Sequence, residues 1–248
     1  MKAIGIIPAR YGSSRFPGKP LADINGKTMI RRVYEQALLS KSLESVVVAT
    51  DDERIANEVN KIGGKFMLTR SEHKTGTERC LEALEKIEGA KAGAVYDIVV
   101  NIQGDEPFIH PDQIDKVVSC FLHAPQVQIA TLVHKIEEPR ELQQPSTVKV
   151  VRNAGGQALY FSRSPIPYFR ENTDKPWTQK HDYLKHIGIY AFRTSVLKAL
   201  VKLPPSPLEI AESLEQLRWL ENGYSIHTEL TDKETFSIDT PEDLQKIM

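Results

Sequence analysis

The chain has little cysteine and almost no net charge. Only Cys80 and Cys120 occur in 248 residues, forty positions apart, so a disulfide framework is excluded and no metal-type spacing is present. Its 32 lysines and arginines nearly balance 33 aspartates and glutamates, for a formal net charge of -1. No global attraction to nucleic acid or to an anionic membrane follows from such a balance. We therefore expect neither as a partner.

Long apolar runs are also missing. The opening run, residues 3–7, ends at Pro8 and Arg10, which makes it too short for a signal-peptide core or a membrane span. The default location is therefore cytoplasmic. No internal repeat or low-complexity segment interrupts the chain, and 40% apolar content is enough to build a core. We predict a single domain over residues 1–248.

Charge is nevertheless placed unevenly along the chain. Residues 1–32 contain seven lysines or arginines and one acid, Asp23, whereas residues 206–248 contain ten acids and three bases. This asymmetry predicts that the N-terminal segment binds an anion and that the C-terminal segment is acidic.

The first half of the chain alternates between two kinds of pattern. Short uninterrupted apolar runs are typical of buried parallel strands, and they are separated by stretches with apolar residues at helical spacing. This order predicts an α/β protein with a mostly parallel sheet and helices on both faces, whose ligands collect at the carboxyl ends of the strands. The predicted strands are residues 3–7, 45–49, 65–68 and 98–102.

Residues 128–192 form a β-rich stretch of four predicted strands, and the turn sequence at 152–157 indicates a hairpin. Beyond it, residues 207–223 predict one helix that ends before Gly223. Its inward side is expected to carry Ile210, Leu214, Leu217 and Leu220.

A basic loop follows the first predicted strand and contains Arg10, Arg15 and Lys19. It does not match Gly-x4-Gly-Lys-[Ser/Thr], because five residues separate Gly12 from Gly18 and a proline follows the lysine. Backbone N–H groups of a strand-to-helix loop favour an anion, and three cations suit a triphosphate. The alternative is a solvated basic loop.

Two acidic residues are candidate Mg2+ ligands. Asp105 follows the strand at 98–102 and Asp239 precedes a short terminal helix, and Mg2+ prefers a few carboxylates together with water and phosphate oxygens. Each has a simpler alternative: Asp105 can belong to a turn with a helix cap, and Asp239 can cap the terminal helix beside Thr240.

Other side chains give weaker signals. Arg163 follows a predicted strand, and its planar guanidinium suits a carboxylate ligand. His186 and Tyr190 lie in a predicted strand, where such residues are more often structural. The pattern of the late helix makes Glu209 and Gln216 ordinary surface residues, and His73 and Cys80 belong to no recognisable metal or nucleophile pattern.

Eight motifs spread over the whole chain resemble one family. In the order in which they occur they are IIPARYGSSRFPGKPL, TDDERI, KTGTER, VNIQGDEPFI, ALYFSRSPIP, HIGIYAFR, PSPLEIAESLEQLRWL and IDTPEDL. The set is similar to that of the cytidylyltransferases that activate 3-deoxy-D-manno-octulosonate (Kdo), within the sugar nucleotidyltransferase superfamily. Eight ordered motifs are far more specific than any one of them.

The resemblance implies a three-layer, Rossmann-like nucleotidyltransferase fold and transfer of CMP from CTP to Kdo with Mg2+, giving CMP-Kdo and pyrophosphate for lipopolysaccharide synthesis. It implies a homodimer paired through the β-rich insertion at about 128–192. It also implies residue roles: Arg10, Ser13, Arg15, Lys19, Thr75, Arg79 and Gln103 for the nucleotide, with Arg10, Lys19 and Asp105 catalytic; Asp105 and Asp239 for the metal; and Arg163, His186, Tyr190, Glu209 and Gln216 for the sugar acid.

Two alternatives to this function stay open. A related enzyme can use another acidic sugar, and a non-catalytic regulator can keep the fold and bind nucleotide without turnover. Base selectivity does not follow from these residues, because base contacts often come from backbone groups.

Overall fold

A computed structural model describes residues 1–12, 16–90, 95–171 and 174–245. The chain forms two compact units. The first contains Met1–Val118, Ile189–Val201 and the segment from Thr235, and the second contains Ser119–Gly188 and Lys202–Glu234.

Strands and helices alternate through the first half of the chain. The strands are β1 (Ala3–Ala9), β2 (Asp23–Ile24), β3 (Lys27–Thr28), β4 (Ser45–Thr50), β5 (Phe66–Leu68), β6 (Ile98–Asn101), β7 (Ile129–Lys135), β8 (Lys149–Arg152), β9 (Ala158–Ser162), β10 (Leu184–Arg193) and β11 (Ile226–Leu230). The α-helices are α1 (Met29–Leu38), α2 (Glu53–Lys61), α3 (Gly76–Ala90), α4 (Pro111–His123), α5 (Pro139–Gln143), α6 (Thr194–Leu200), α7 (Pro207–Glu212), α8 (Glu215–Glu221) and α9 (Pro241–Gln245).

The first unit is built around parallel strands. β1 pairs in parallel with β4 on one side and with β6 on the other, and β5 continues the sheet beyond β4. The last residues of β10 pair with β6 in the antiparallel direction. The predicted α/β class with a mostly parallel sheet is confirmed.

The apolar runs explain why these strands are central. Ile4, Ile6 and Ile7 of β1 are fully buried, as are Val99 and Val100 of β6. Strands with apolar residues in succession require cover on both sides, and helices provide it in such folds. The carboxyl ends of β1 and β6 consequently lie side by side, with Ile6 in register with Asn101.

The second unit is rich in β-strands. β8 and β9 form the antiparallel hairpin that the turn at 152–157 predicts, and β7 pairs in parallel with β11. The helices α5, α7 and α8 also belong to this unit.

The prediction of one continuous helix over residues 207–223 is wrong. Ser213 adopts a left-handed backbone conformation (φ 52°, ψ 49°), which ends α7, and α8 begins at Glu215. Because of this break, Ile210 is 68% exposed instead of facing inward, whereas Leu214 and Leu217 are buried. No helix in the described parts of the chain is both long and apolar enough to cross a membrane.

Candidate active site

A cavity of ≈ 240 Å³ lies in the first unit, at the carboxyl ends of β1 and β6. It brings together seven of the predicted site residues, one of them from the C-terminal segment. These residues are Arg10, Lys19, Thr75, Arg79, Gln103, Asp105 and Asp239. Ser13 and Arg15, also predicted to contact the nucleotide, lie outside the described residues.

Lys19 joins the two predicted metal ligands. Its Nζ donates to Asp105 Oδ2 at 2.7 Å and to Asp239 Oδ1 at 3.3 Å. Asp105 and Asp239 are 134 positions apart in sequence, and the shared ammonium brings their carboxylates to one point of the cavity wall. Two carboxylates around one positive charge are a donor set that suits a hard divalent cation.

The loop before Lys19 is shaped by its backbone. Gly18 has a positive φ of 73°, and its N–H donates to the carbonyl of Tyr11 at 2.9 Å. A short 3-10 helix, Lys19–Leu21, follows, and Pro20 in its first turn is buried. Glycine favours this left-handed conformation and proline suits the first turn of a helix, so both residues help to fix where Lys19 points.

A second backbone contact positions Asp239. The N–H of Ile238 donates to the carbonyl of Asp105 at 3.0 Å, and the Ile238 side chain packs with Ile24 and Met29 in a buried cluster. Thr240 Oγ1 accepts a hydrogen bond from the Asp243 N–H at 3.3 Å, as an N-terminal cap does. The cap is therefore on Thr240, and the Asp239 carboxylate is directed to Lys19.

The start of α3 forms another wall of the cavity. Thr75 Oγ1 accepts from the Glu78 N–H at 3.2 Å, while Glu78 Oε2 accepts from the Lys74 N–H at 2.8 Å. The Glu78 carboxylate thus accepts from the residue before Thr75, whereas in a capping box it would accept from the N–H of Thr75 itself. The N-terminus of a 15-residue helix favours negative charge. Lys74 also lines the cavity and is a cation that the sequence reasoning missed.

Arg79 is buried and held from two sides. Its Nη1 donates to Thr69 Oγ1 at 2.6 Å, and its Nη2 lies 3.4 Å from Asp51 Oδ2. These contacts fix the guanidinium at the cavity wall, where Asp51 is its carboxylate partner.

Glu106, which follows Asp105 in the sequence, is a buried acid beyond the carboxyl end of β6 that no sequence signal indicated. Burial and then the adjacent Asp105 charge raise the pKa of Glu106 to about 8. Its Oε2 has no hydrogen-bond partner among the described residues. Glu106 is consequently protonated at neutral pH, which leaves the charge at this strand end to Asp105.

Four of the five predicted sugar-binding residues belong to the second unit. Arg163 donates from Nε to the carbonyl of Glu212 at 2.7 Å and from Nη1 to the carbonyl of Pro145 at 3.0 Å. His186 Nε2 lies 3.0 Å from Thr131 Oγ1, and burial lowers the pKa of His186 to about 3. This histidine is therefore neutral at pH 7.

Glu209 and Gln216 are not the ordinary surface residues that the helix pattern predicts. Gln216 is only 5% exposed, and Glu209 accepts from Arg218 Nε at 2.7 Å. Burial raises the pKa of Glu209, but the bonds from Arg218 and from the Ser206 N–H outweigh it, so the net pKa is lowered. The break after α7 is what turns this segment inward at Gln216.

Tyr190, the fifth predicted sugar-binding residue, belongs to the first unit. It is buried, lies in register with Asn101 of β6, and its ring stacks on Phe192 with a centroid distance of 5.9 Å.

Lys149 is a buried cation that no sequence signal indicated. Its Nζ donates to the carbonyls of Gln144 (2.9 Å), Thr147 (2.6 Å) and Arg163. Burial and then the Arg163 charge lower the pKa of Lys149. Three carbonyl acceptors satisfy the three ammonium hydrogens, and the contact holds the backbone of Arg163 in place.

The protein has an α/β fold and a cavity in which cationic side chains lie next to a pair of carboxylates. This combination is typical of nucleotidyltransferases, which bind a polyanionic substrate and neutralise its charge during transfer. A family model described as cytidylyltransferase matches residues 4–232. The chain belongs to this family.

Relatives match over nearly the full chain. The 3-deoxy-manno-octulosonate cytidylyltransferase of Parabacteroides distasonis is 54% identical, with 100% of this chain and 97% of the relative covered. The protein of the same name from Cytophaga hutchinsonii is 52% identical, with 98% and 95% covered. A solved structure of CMP:2-keto-3-deoxy-manno-octonic acid synthetase complexed with CTP is 47% identical, with a TM-score of 0.90 and 100% and 97% covered.

Proposed function

We propose that this protein transfers CMP from CTP to Kdo, giving CMP-Kdo and pyrophosphate. The observation that carries the proposal is the contact of Lys19 Nζ with both Asp105 and Asp239 in the wall of a cavity that Arg10, Thr75 and Arg79 also line. The names of the full-length relatives support CTP and Kdo as the two substrates.

The cations of the cavity suit the triphosphate. Arg10, Lys74 and Arg79 line one cavity together with the N-terminus of α3, so phosphate oxygens meet positive charge from side chains and from backbone N–H groups. Because Thr69 and Asp51 already hold the Arg79 guanidinium, this cation requires little rearrangement as charge develops on the leaving pyrophosphate. Arg15 is proposed to join them on the resemblance alone, as is Ser13.

The reaction requires no protein nucleophile. The anomeric hydroxyl oxygen of Kdo attacks the α-phosphorus of CTP, a new P–O bond forms, and the bond from the α-phosphorus to the bridging oxygen breaks as pyrophosphate leaves. The hydroxyl proton leaves to solvent or to a phosphate oxygen. Positioning the two reactants in line and neutralising oxygen charge supply most of the rate in such transfers.

Asp105 and Asp239 would hold Mg2+, because both carboxylates already face one cation and carboxylate oxygens are ligands that Mg2+ prefers. When bound, the metal lowers the pKa of a coordinated hydroxyl and neutralises phosphate charge. Lys19 holds the two carboxylates together and would move its ammonium toward the phosphates once they arrive.

For the sugar acid we propose four residues of the second unit, of which Arg163 is contacted by Lys149 and Glu209 by Arg218. Arg163, His186, Glu209 and Gln216 would recognise the carboxylate and hydroxyl groups of Kdo. Neutral His186 can donate or accept, whereas Arg163 suits the carboxylate. We further propose a cytoplasmic homodimer, paired through residues 128–192, whose product feeds lipopolysaccharide synthesis.

The test is pyrophosphate release measured with each nucleoside triphosphate against a panel of acidic sugars. We expect release only with CTP and fastest with Kdo, and only when Mg2+ is present. Faster turnover with another octulosonate or nonulosonate would reassign the sugar. CTP binding without pyrophosphate release for any sugar would overturn the proposal in favour of a regulator.

A further inference from the structure

The second unit holds a group of three potential metal ligands that the proposed reaction does not use. Cys120 lies near the end of α4, and His227 and Glu229 lie on β11. One ligand atom from each of these residues lies within 4.8 Å of the other two. No local pattern indicates this group, because more than one hundred positions separate the cysteine from the strand.

Strand geometry explains why the last two residues meet. His227 and Glu229 are two positions apart, so their side chains extend from the same face of β11, while buried Ile226 and Thr228 alternate with them on the other face. His227 Nε2 and Glu229 Oε2 are 3.6 Å apart. In a tetrahedral zinc site, bond lengths of about 2.0–2.3 Å put neighbouring ligand atoms about 3.3–3.8 Å apart. This pair already has that spacing.

The surroundings of His227 favour one ring orientation. A Cβ added at Gly156 would lie 3.2 Å from His227 Cε1 and 3.6 Å from its Nδ1. Gly156 also has a positive φ of 79°, a conformation that suits glycine. The Cε1–Nδ1 edge of the His227 ring therefore packs against the backbone of Gly156. The other ring nitrogen, Nε2, lies near Glu229.

The third ligand and the access route complete the set. Cys120 is 6% exposed, while the His227 and Glu229 side chains are 22% and 46% exposed, so the group is closed on the sulfur side and open on the carboxylate side. A cavity of ≈ 230 Å³ is lined by His227 together with Gln128, Gln157 and Ser225. It offers an entry path for an ion and room for a water ligand.

We propose that Cys120, His227 and Glu229 bind a Zn2+ ion, with water in the fourth position. Thiolate, imidazole and carboxylate together are ligands that select zinc over magnesium, which prefers an all-oxygen octahedral shell. The ion ties the end of α4 to β11 within the second unit. None of the three residues is among those proposed to take part in CMP transfer.

The test titrates the metal-stripped, full-length protein with CoCl2 in excess Mg2+, since Co2+ in a zinc site that includes a thiolate gives a sulfur-to-metal charge-transfer band in the near ultraviolet. We expect one equivalent of Co2+ to produce the band and Zn2+ to remove it. Cys120→Ser should abolish the band, and the matched variant of the other buried cysteine, Cys80→Ser, should keep it.

Two further variants guard against misfolding of Cys120→Ser. His227→Gln and Glu229→Gln replace partly exposed side chains, and each should weaken Co2+ binding by about tenfold or more through the loss of one of three protein ligands. Zn2+ should also raise the unfolding temperature of the wild type and not that of the His227 variant. A wild type without the band, a band that persists in Cys120→Ser, or unchanged affinity in both strand variants would overturn the site.

Discussion

The backbone N–H of Ile238 donates to the carbonyl of Asp105 at 3.0 Å. This bond joins the segment before α9 to the loop after β6, and the Asp239 carboxylate lies 3.3 Å from Lys19 Nζ, which also donates to Asp105. The site is assembled from three distant segments, which contribute Lys19, Asp105 and Asp239. A substitution in any one of them is therefore expected to affect turnover.

Lys19→Ala should lower turnover by about 10²-fold or more, the scale for the loss of one group that stabilises developing charge. The substitution also leaves two neighbouring carboxylates without their shared cation. Pyrophosphate release at saturating CTP and Kdo measures the effect. Lys27→Ala is the matched control, because Lys27 pairs with Glu35 outside the cavity. Near wild-type turnover of Lys19→Ala would remove this lysine from the mechanism.

Asp105→Asn and Asp239→Asn should each abolish Mg2+-dependent turnover, because an amide oxygen is neutral and binds Mg2+ weakly. The measurement is rate against Mg2+ concentration, with Asp112→Asn on α4 as a control that keeps the wild-type curve. Asp112 is highly exposed and lines no part of the cavity. An unchanged Mg2+ response in either site variant would exclude that carboxylate as a ligand.

Gly104→Ala should destabilise the protein by about 1–3 kcal/mol, the usual cost of forcing an extra atom into a packed region. The new Cβ would lie 2.9 Å from the carbonyl oxygen of Pro8, a backbone atom that cannot simply rotate away. Urea unfolding measures the change. Gly89→Ala near the end of α3 is the control, since its Cβ meets nothing within 4 Å and alanine favours helix. Equal midpoints for Gly104→Ala and the wild type would contradict this account.

Stability should fall as the pH drops below about 6.5, in part through His186. Burial lowers the folded-state pKa of His186 from 6.5 to about 3, so the unfolded chain binds this proton first. The contribution of neutral His186 to the free energy of unfolding is fully present above pH 6.5 and is lost as the pH falls toward 3. For one proton, the free energy of unfolding changes by at most about 1.4 kcal/mol per pH unit.

Urea unfolding of the wild type and of His186→Gln at several pH values tests this linkage. We expect the difference between the two proteins to be constant above pH 7 and to shrink or reverse toward pH 5. A difference that stays the same over the whole range would mean that His186 does not titrate in this window.

Much of the first unit was predictable because its signals are local. The runs at 3–7 and 98–102 predict β1 and β6, and the acids at 51–52 predict the start of α2, where Asp52 Oδ1 accepts from the Arg54 N–H at 2.9 Å. The spacing of apolar residues and the capping of a helix depend on residues only a few positions apart, so both can be recognised in the sequence. The late helix was mispredicted because its break depends on one residue, Ser213, in a left-handed conformation that its side chain does not demand.

Local patterns encode the α/β alternation, the basic loop at the end of β1, and the motifs that carry the family resemblance. The contacts of Lys19 with Asp105 and Asp239, of Lys149 with the backbone of Arg163, and of Cys120 with two side chains of β11 follow only from the folded structure. Contacts between residues so far apart in sequence are set by strand register and by the packing of buried apolar groups such as Ile238. These are properties of the folded chain as a whole, and no local pattern encodes them.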